Sequence, residues 1–309
     1  MFRNQLINIP DVKGEIRKEY KLSQINWFKV GGNAEVLFLP KDLEDLRIFL
    51  SKLSKNIPLT IIGAGSNTLI RDGGLGGVVV KLGKKFSTLK IINNYQIQVG
   101  AGYNCIKLSR NLANKNLSGL EFFSGIPGTV GGAVSMNAGA FGSETSDFLV
   151  GIKVLDRKGN IKYYKRTDLK MSYRFSMIPK SNIIFEAIFN CKKDKSQNIL
   201  KTIETFQRKR SNSQPIKNAT GGSTFKNPDN AKAWKLIKDS GCEDMFEGGA
   251  TLSKMHSNFI INSGNCCSAD IEKLGEKIRK KVKAIMGINL EWEIKIIGSK
   301  EKYKRYFDE

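Results

Sequence analysis

The sequence predicts an α+β fold divided into more than one unit. Three observations carry that expectation. A chain of 309 residues exceeds what one hydrophobic core comfortably fills. Short alternating or continuous apolar runs dominate the first third, whereas the last third mixes helical and strand patterns. Between them, a polar stretch ending at Gln214-Pro215 breaks the periodicity and marks a junction.

The elements follow in order. Residues 59–62 (Leu-Thr-Ile-Ile) and 78–82 (Val-Val-Val-Lys-Leu) read as strands joined by a glycine-rich connection, and 96–99 alternate as a third. Residues 103–116 place Ile106, Leu108, Leu112 and Ala113 at helical spacing. The small-residue stretch Ser124–Gly142 follows, which is not expected to form a regular helix. Strands 150–155 and 161–164 flank the hairpin loop Asp156-Arg157-Lys158-Gly159-Asn160, and 183–190 is a further buried strand. From Asp194 to Lys209 an amphipathic helix carries Ile199, Ile203 and Phe206. Beyond Pro215 come a helix at 230–239, a strand at 257–261, a helix capped near Ser268 that runs to about Met286, and a final strand at 289–297. Ser299–Glu309 reads as a charged tail.

Composition narrows the classes. No run of 18 apolar residues could span a bilayer, and Met1 to Tyr20 mixes charges with apolar pairs in place of a leader core, so no membrane insertion or export is expected. Five cysteines without a C-x-x-C pair fit a reducing, cytoplasmic setting. With His256 as the only histidine, a metal centre or a Ser-His-Asp triad would need that position, and no metal is expected. The net charge of +22 could serve nucleic acid, but lysines are scattered through every segment and outnumber arginines, which fits a solvated surface.

Several segments carry chemistry. Gly63-Ala64-Gly65-Ser66-Asn67 follows an apolar strand and reads either as a tight turn or as a loop whose N–H groups face a pyrophosphate. It is not the dinucleotide fingerprint, because Thr68 stands where the third glycine belongs. The segment from Ser124 through Gly125-Ile126-Pro127-Gly128-Thr129 and Gly131-Gly132 to Asn137-Ala138-Gly139 has few bulky side chains, which lets backbone lie against a large flat ligand such as FAD. The embedded Ile126, Val130, Val134 and Met136 argue against a solvated tether. Gly222-Ser223-Thr224-Phe225-Lys226-Asn227-Pro228 gathers a hydroxyl, an ammonium and an amide in one turn. Tyr173-Arg174 offers a phenol and a guanidinium, and period two sets Glu291 and Glu293 on one face of a strand. Taken singly, Arg174 is a surface charge, Ser223 a turn former, Glu293 a solvated strand position and His256 a structural residue.

In this order the segments resemble the MurB family, the UDP-N-acetylenolpyruvoylglucosamine reductases or UDP-N-acetylmuramate dehydrogenases. The resemblance spans nearly the whole chain and adds His256-Ser257-Asn258-Phe259 and the closing Ile297-Gly298 to the motifs above. The short interval from Arg174 to Ser223 is similar to the compact variant, which lacks an inserted tyrosine-bearing loop. Trp27 stands where the family usually has threonine, and Cys242-Glu243-Asp244 is acidic where it usually has a basic or small residue.

The resemblance implies a two-part FAD-binding region of the vanillyl-alcohol-oxidase (PCMH) type over 1–82 and 83–212, a substrate-binding domain over 213–298 and a tail over 299–309. It implies an NADPH-dependent, FAD-mediated reduction of UDP-N-acetylglucosamine enolpyruvate to UDP-N-acetylmuramate, for peptidoglycan and cell-wall synthesis. FAD contacts would fall on Gly63–Asn67, Gly125–Thr129, Gly131, Gly132 and Asn137–Gly139. Arg174 would neutralise charge developing toward the substrate carboxylate, Glu293 would donate a hydrogen bond, and Ser223 would deliver the proton to the α-carbon. Tyr173, Lys226 and Asn227 would bind substrate. A flavin oxidase of the same class and a basic nucleic-acid-binding protein are the rival readings.

Overall fold

A computed structural model describes residues 8–179 and 181–307. Met1–Ile7, Lys180, Asp308 and Glu309, which belong to spans read above, lie outside the described residues.

The first unit is a four-stranded sheet built from β1 (Glu15–Lys21), β2 (Asn33–Leu39), β3 (Leu59–Ile62) and, after the short β4 (Thr68–Ile70), β5 (Leu75–Lys81). Its order is β1-β2-β5-β3, with β1 antiparallel to β2, and β2, β5 and β3 mutually parallel. The Val78-Val79-Val80 run is central and fully buried, as a parallel strand covered on both faces requires. Burial of each such side chain contributes roughly 1.5–3 kcal/mol. Helix Leu43–Lys52 links β2 to β3 and starts where the Asp42 side chain accepts the Asp45 N–H at 2.9 Å.

The second unit is a five-stranded antiparallel sheet, in the order Ile161–Lys165, Leu149–Leu155, Ile183–Asn190, Gln96–Gly100, Leu89–Ile91. Helices Cys105–Ala113 and Ser196–Ser213 lie beside it, and Leu108, Leu112, Phe123, Val134, Ile152 and Phe189 share its core. The hairpin at 156–160 is present, closed by the Asp156 carboxylate accepting the Lys158 and Asn160 N–H groups.

Ser124–Gly142 departs from expectation, because it contains a six-residue helix, Val130–Ser135, with Thr129 as its cap. Glycine at 131 is what admits it. A Cβ there would sit 2.9 Å from the Ala101 Cβ, so the helix packs closer to its neighbour than any other residue allows.

The third unit folds around helix Ser268–Met286, whose Ile271, Leu274, Ile278 and Val282 pack against Phe225, Ile237 and Ile260. The helix runs from the expected Ser268 to the expected Met286 and ends on left-handed Gly287 (φ 71°). Its first N–H groups, of Ser268 and Ala269, donate to the Asp72 carboxylate of the first unit at 3.0 Å each.

Two expectations are corrected here. The strand expected at 289–297 is regular only over Lys295–Ile297, and its partner is not in its own unit but is β4, in parallel register. Before it, Leu290, Trp292 and Ile294 alternate into the third core, with the Trp292 indole over Gly275 donating to Glu276 at 2.8 Å, and the segment makes only an isolated antiparallel bridge, Trp292 to Phe225. The charged tail is also no tail over its described length. Ser299–Phe307 lies along the glycine-rich edge at Gly73–Gly77, with Tyr303 and Phe307 only 8% and 3% exposed. The buried Glu35 carboxylate accepts N–H groups from Gly77 at 2.6 Å and Phe307 at 2.7 Å. Counting charges hid these spaced aromatic residues, which drive the docking. Among the described residues no helix is long and apolar enough to cross a membrane.

Candidate active site

The site forms where all three units meet. Ser172 and Phe175 exchange main-chain hydrogen bonds and close a two-residue turn, with Tyr173 and Arg174 at its tip. Arg174 has φ 55°, a left-handed conformation that costs a non-glycine residue of order 1–3 kcal/mol and is characteristic of functional positions. The turn aims the guanidinium inward. Its Nε donates to Glu293 Oε1 at 2.8 Å, its Nη2 to the Gly139 carbonyl at 3.2 Å, and its plane lies 4.9 Å from the centre of the Tyr173 ring.

Glu293 is equally constrained. Its side chain is 11% exposed, its N–H donates to the Thr224 carbonyl at 2.9 Å, and its own carbonyl accepts from Asn67 Nδ2 at 3.1 Å. Burial raises its pKa, and the Arg174 guanidinium and Lys226 ammonium pull the other way. Burial wins, so a proton is easier to keep here than on an ordinary glutamate. Glu291 lies on the same side of the segment, as the period of two predicts, because Trp292 is bridged to Phe225 with the Lys226 N–H on the Glu291 carbonyl and the Glu293 N–H on the Thr224 carbonyl. The two carboxylates differ in burial, since that of Glu291 is 73% exposed and pairs with Lys226 at 3.1 Å.

The Thr224–Glu293 bond brings Ser223, half-buried and without a hydroxyl partner among the described residues, into the same corner. Gly222 has φ 84°, and a Cβ built on it would approach nothing closer than the Ser66 carbonyl at 3.9 Å, so this turn faces the Gly63–Asn67 loop across a gap. Arg174, Ser223 and Glu293 are thus assembled from three distant segments. The remaining candidates are more peripheral. Tyr173 is half-exposed and its hydroxyl lies 3.5 Å from the Asn227 N–H, while Asn227 Oδ1 accepts the Ala233 N–H at 3.0 Å and so starts the helix Ala233–Asp239.

The two glycine-rich segments face one another. A Cβ on Gly63 would lie 2.6 Å from Thr129 Oγ1, and one on Gly128 would lie 3.6 Å from Ser66 Oγ. The lining therefore consists largely of main chain and small hydroxyls, and buried Ser124 Oγ has no partner among the described residues. Such a surface fits a flat, diphosphate-bearing group. Several residues of these segments also serve the protein itself. Asn137 is fully buried, with Nδ2 donating to the Ser172 carbonyl at 2.9 Å and Oδ1 accepting the Ser146 N–H at 2.9 Å, so it braces the Arg174 turn. Gly139 gives its carbonyl to Arg174, and Ala138 is buried.

Other residues settle into structural places. His256 lies between the Trp234 and Phe259 rings, its Nδ1 accepts the Asn258 N–H at 3.2 Å, and burial lowers its pKa. Trp27 donates its N–H to the Gly65 carbonyl at 3.1 Å beneath the first glycine loop. Two contacts carry no motif: Asn67 Nδ2 on Glu293, and Lys81 Nζ, which donates to the Gly63 carbonyl at 2.6 Å.

Comparison with known proteins agrees with this geometry. Residues 34–163 match a family model described as an FAD binding domain, and residues 214–297 match the C-terminal domain of UDP-N-acetylenolpyruvoylglucosamine reductase. The UDP-N-acetylenolpyruvoylglucosamine reductase of Rickettsia akari is 46% identical over 95% of this chain and 99% of its own. The chain belongs to the UDP-N-acetylenolpyruvoylglucosamine reductase family. The Rickettsia prowazekii member of that family is 45% identical over 94% of this chain and 98% of its own. The crystal structure of the UDP-N-acetylenolpyruvylglucosamine reductase (MurB) from Thermus caldophilus superposes with a TM-score of 0.80 at 31% identity, covering 93% of this chain and 99% of that one. Family membership carries with it the two-part FAD-binding architecture and the C-terminal α+β domain expected from the sequence.

Proposed function

We infer that this protein is an NADPH-dependent flavoenzyme that reduces UDP-N-acetylglucosamine enolpyruvate to UDP-N-acetylmuramate, an oxidoreductase step of peptidoglycan and cell-wall biogenesis on which cell shape and division depend. The observation that carries the reading is the Arg174–Glu293 pair, held against the Ser223 turn and both glycine loops in a chain of this family. FAD, when bound, supplies hydride transfer between NADPH and the methylene carbon of the enolpyruvyl group.

The residues supply the rest. Arg174 sets a fixed cation beside the substrate carboxylate, where negative charge accumulates as the double bond is reduced. Glu293, with its pKa raised by burial, holds a proton and donates a hydrogen bond to that carboxylate. Ser223 gives a proton to the α-carbon, and the nearby Lys226 ammonium steadies the alkoxide left on it. Lys226, Tyr173 and Asn227 rim the same corner and take the sugar and its diphosphate. Residues 1–82 and 83–212 form the FAD-binding parts and 213–298 the substrate domain. The start of the C-terminal family match at 214 supports the junction near 213, and the two separate sheets support the division of the FAD-binding part. Cytoplasmic action belongs to the same reading, supported by five unpaired cysteines and by a nucleotide-sugar substrate reduced by NADPH.

The test is anaerobic absorbance of the purified protein. NADPH should bleach the flavin band and the enolpyruvyl substrate should restore it. Restoration by oxygen alone would point to an oxidase, and colourless protein that takes up no FAD would sink the reading.

A further inference from the structure

Strands β3 and β5 run parallel and end side by side, with Ile62 paired to Lys81. Ligands favour the carboxyl ends of parallel strands, because the turns that leave them open a crevice lined with main-chain N–H groups. Here that crevice lies between the Gly63–Asn67 loop and the Gly128-Thr129 turn. Three segments build it: 59–70, 75–83 and 124–142. Together they contain one ionisable side chain, Lys81.

The Lys81 ammonium has no carboxylate partner among the described residues. Its hydrogen bond goes to the Gly63 carbonyl at 2.6 Å, and burial holds its pKa below the ordinary lysine value with no opposing charge to restore it. A half-buried, uncompensated cation is a cost that an incoming anion removes. Glycine-rich main chain, for its part, offers dipoles to a diphosphate but no full charge. We propose that Lys81 is the cationic contact for the diphosphate of FAD, neutralising phosphoryl oxygens while it holds the Gly63 turn by its carbonyl. The assignment rests on the flavin reading above.

The experiment is FAD titration of apoprotein, followed by quenching of flavin fluorescence, at low and at high salt. Lys81→Met should weaken FAD binding about 10- to 100-fold, the worth of one charge-assisted contact. Lys81→Arg, which keeps the charge, should stay within about fivefold of the natural protein. The gap between the two variants should narrow at about 1 M salt. Lys81→Gln, neutral but able to reach Gly63, takes the place of Lys81→Met if circular dichroism shows that variant unfolded, and is judged by the same outcomes. A neutral variant that binds FAD within about twofold of the natural protein overturns the proposal. So does equal weakening of the Arg and neutral variants at both salts, since loop packing would then be the cause. Natural protein that binds no FAD would instead overturn the flavin reading, so the two failures are distinct.

Discussion

The glycine-lined crevice and the Arg174–Glu293 corner are neighbours built on opposite principles. One is nearly free of charge and works by letting main chain come close. The other concentrates Arg174, Glu293, Lys226 and Glu291 around one turn and works by fixed charge and proton custody. Asn67 joins them, because it ends the first glycine loop and its side chain holds the Glu293 carbonyl. The contrast teaches that substitutions in the corner should change rate with cofactor retained, whereas those in the crevice should change cofactor affinity with the chemistry of the loaded enzyme retained.

The sharpest break is at the ion pair. Arg174→Ala removes the hydrogen-bond partner of buried Glu293 and, on the proposed reading, the cation facing the substrate carboxylate, so kcat/KM should fall about 10²- to 10³-fold with FAD still bound. Next is Ser223→Ala, which should slow flavin reoxidation by substrate about 10²-fold while leaving flavin reduction by NADPH unchanged in stopped-flow traces. Equal loss in both half-reactions would remove Ser223 from its role. On the crevice side, Gly63→Ala sets a methyl group 2.6 Å from Thr129 Oγ1 and should weaken FAD binding about tenfold, with near-normal kcat once saturated. Asn67→Ala tests the joint: kcat should drop about tenfold with FAD affinity within about threefold, since its side-chain donor serves Glu293.

The smallest effect is on stability. Glu293 has a folded-state pKa above the ordinary 4.5, so its contribution is fully present below that value and is lost as pH rises through the raised one. Glu293→Gln should therefore gain thermal stability relative to the natural protein on going from pH 4 to pH 8, measured by scanning fluorimetry. An unchanging difference would mean that Glu293 titrates alike in the folded and unfolded chain, and a loss in place of a gain would mean that Arg174 holds it ionised.

These two regions also differed in how far the sequence exposed them. The glycine loops are local, and Gly63–Asn67 and Gly125–Gly132 stand out because the backbone requirement and the residues that meet it are adjacent. The corner is not local. Arg174 and Glu293 are 119 positions apart, and only the ordered resemblance joined them to Ser223. Strands β1 and β2 were not read from the sequence, although Asp42 three residues before Asp45 signals the start of the helix between β2 and β3. The period of two set Glu291 and Glu293 on one face, which the Trp292–Phe225 bridge keeps, but only tertiary packing decides that Glu293 is buried and Glu291 exposed. Asn137 lies in the expected cofactor segment, and what the sequence did not show is that both ends of its side-chain amide bond to protein.

The docking of Ser299–Phe307 on Glu35 and the pairing of Lys295–Ile297 with β4 set an order of assembly. A nascent chain emerges from its amino end, yet the first unit keeps an open glycine edge and β4 lacks its partner until residues 295–307 have emerged. The amino-terminal sheet is the first synthesised and among the last completed.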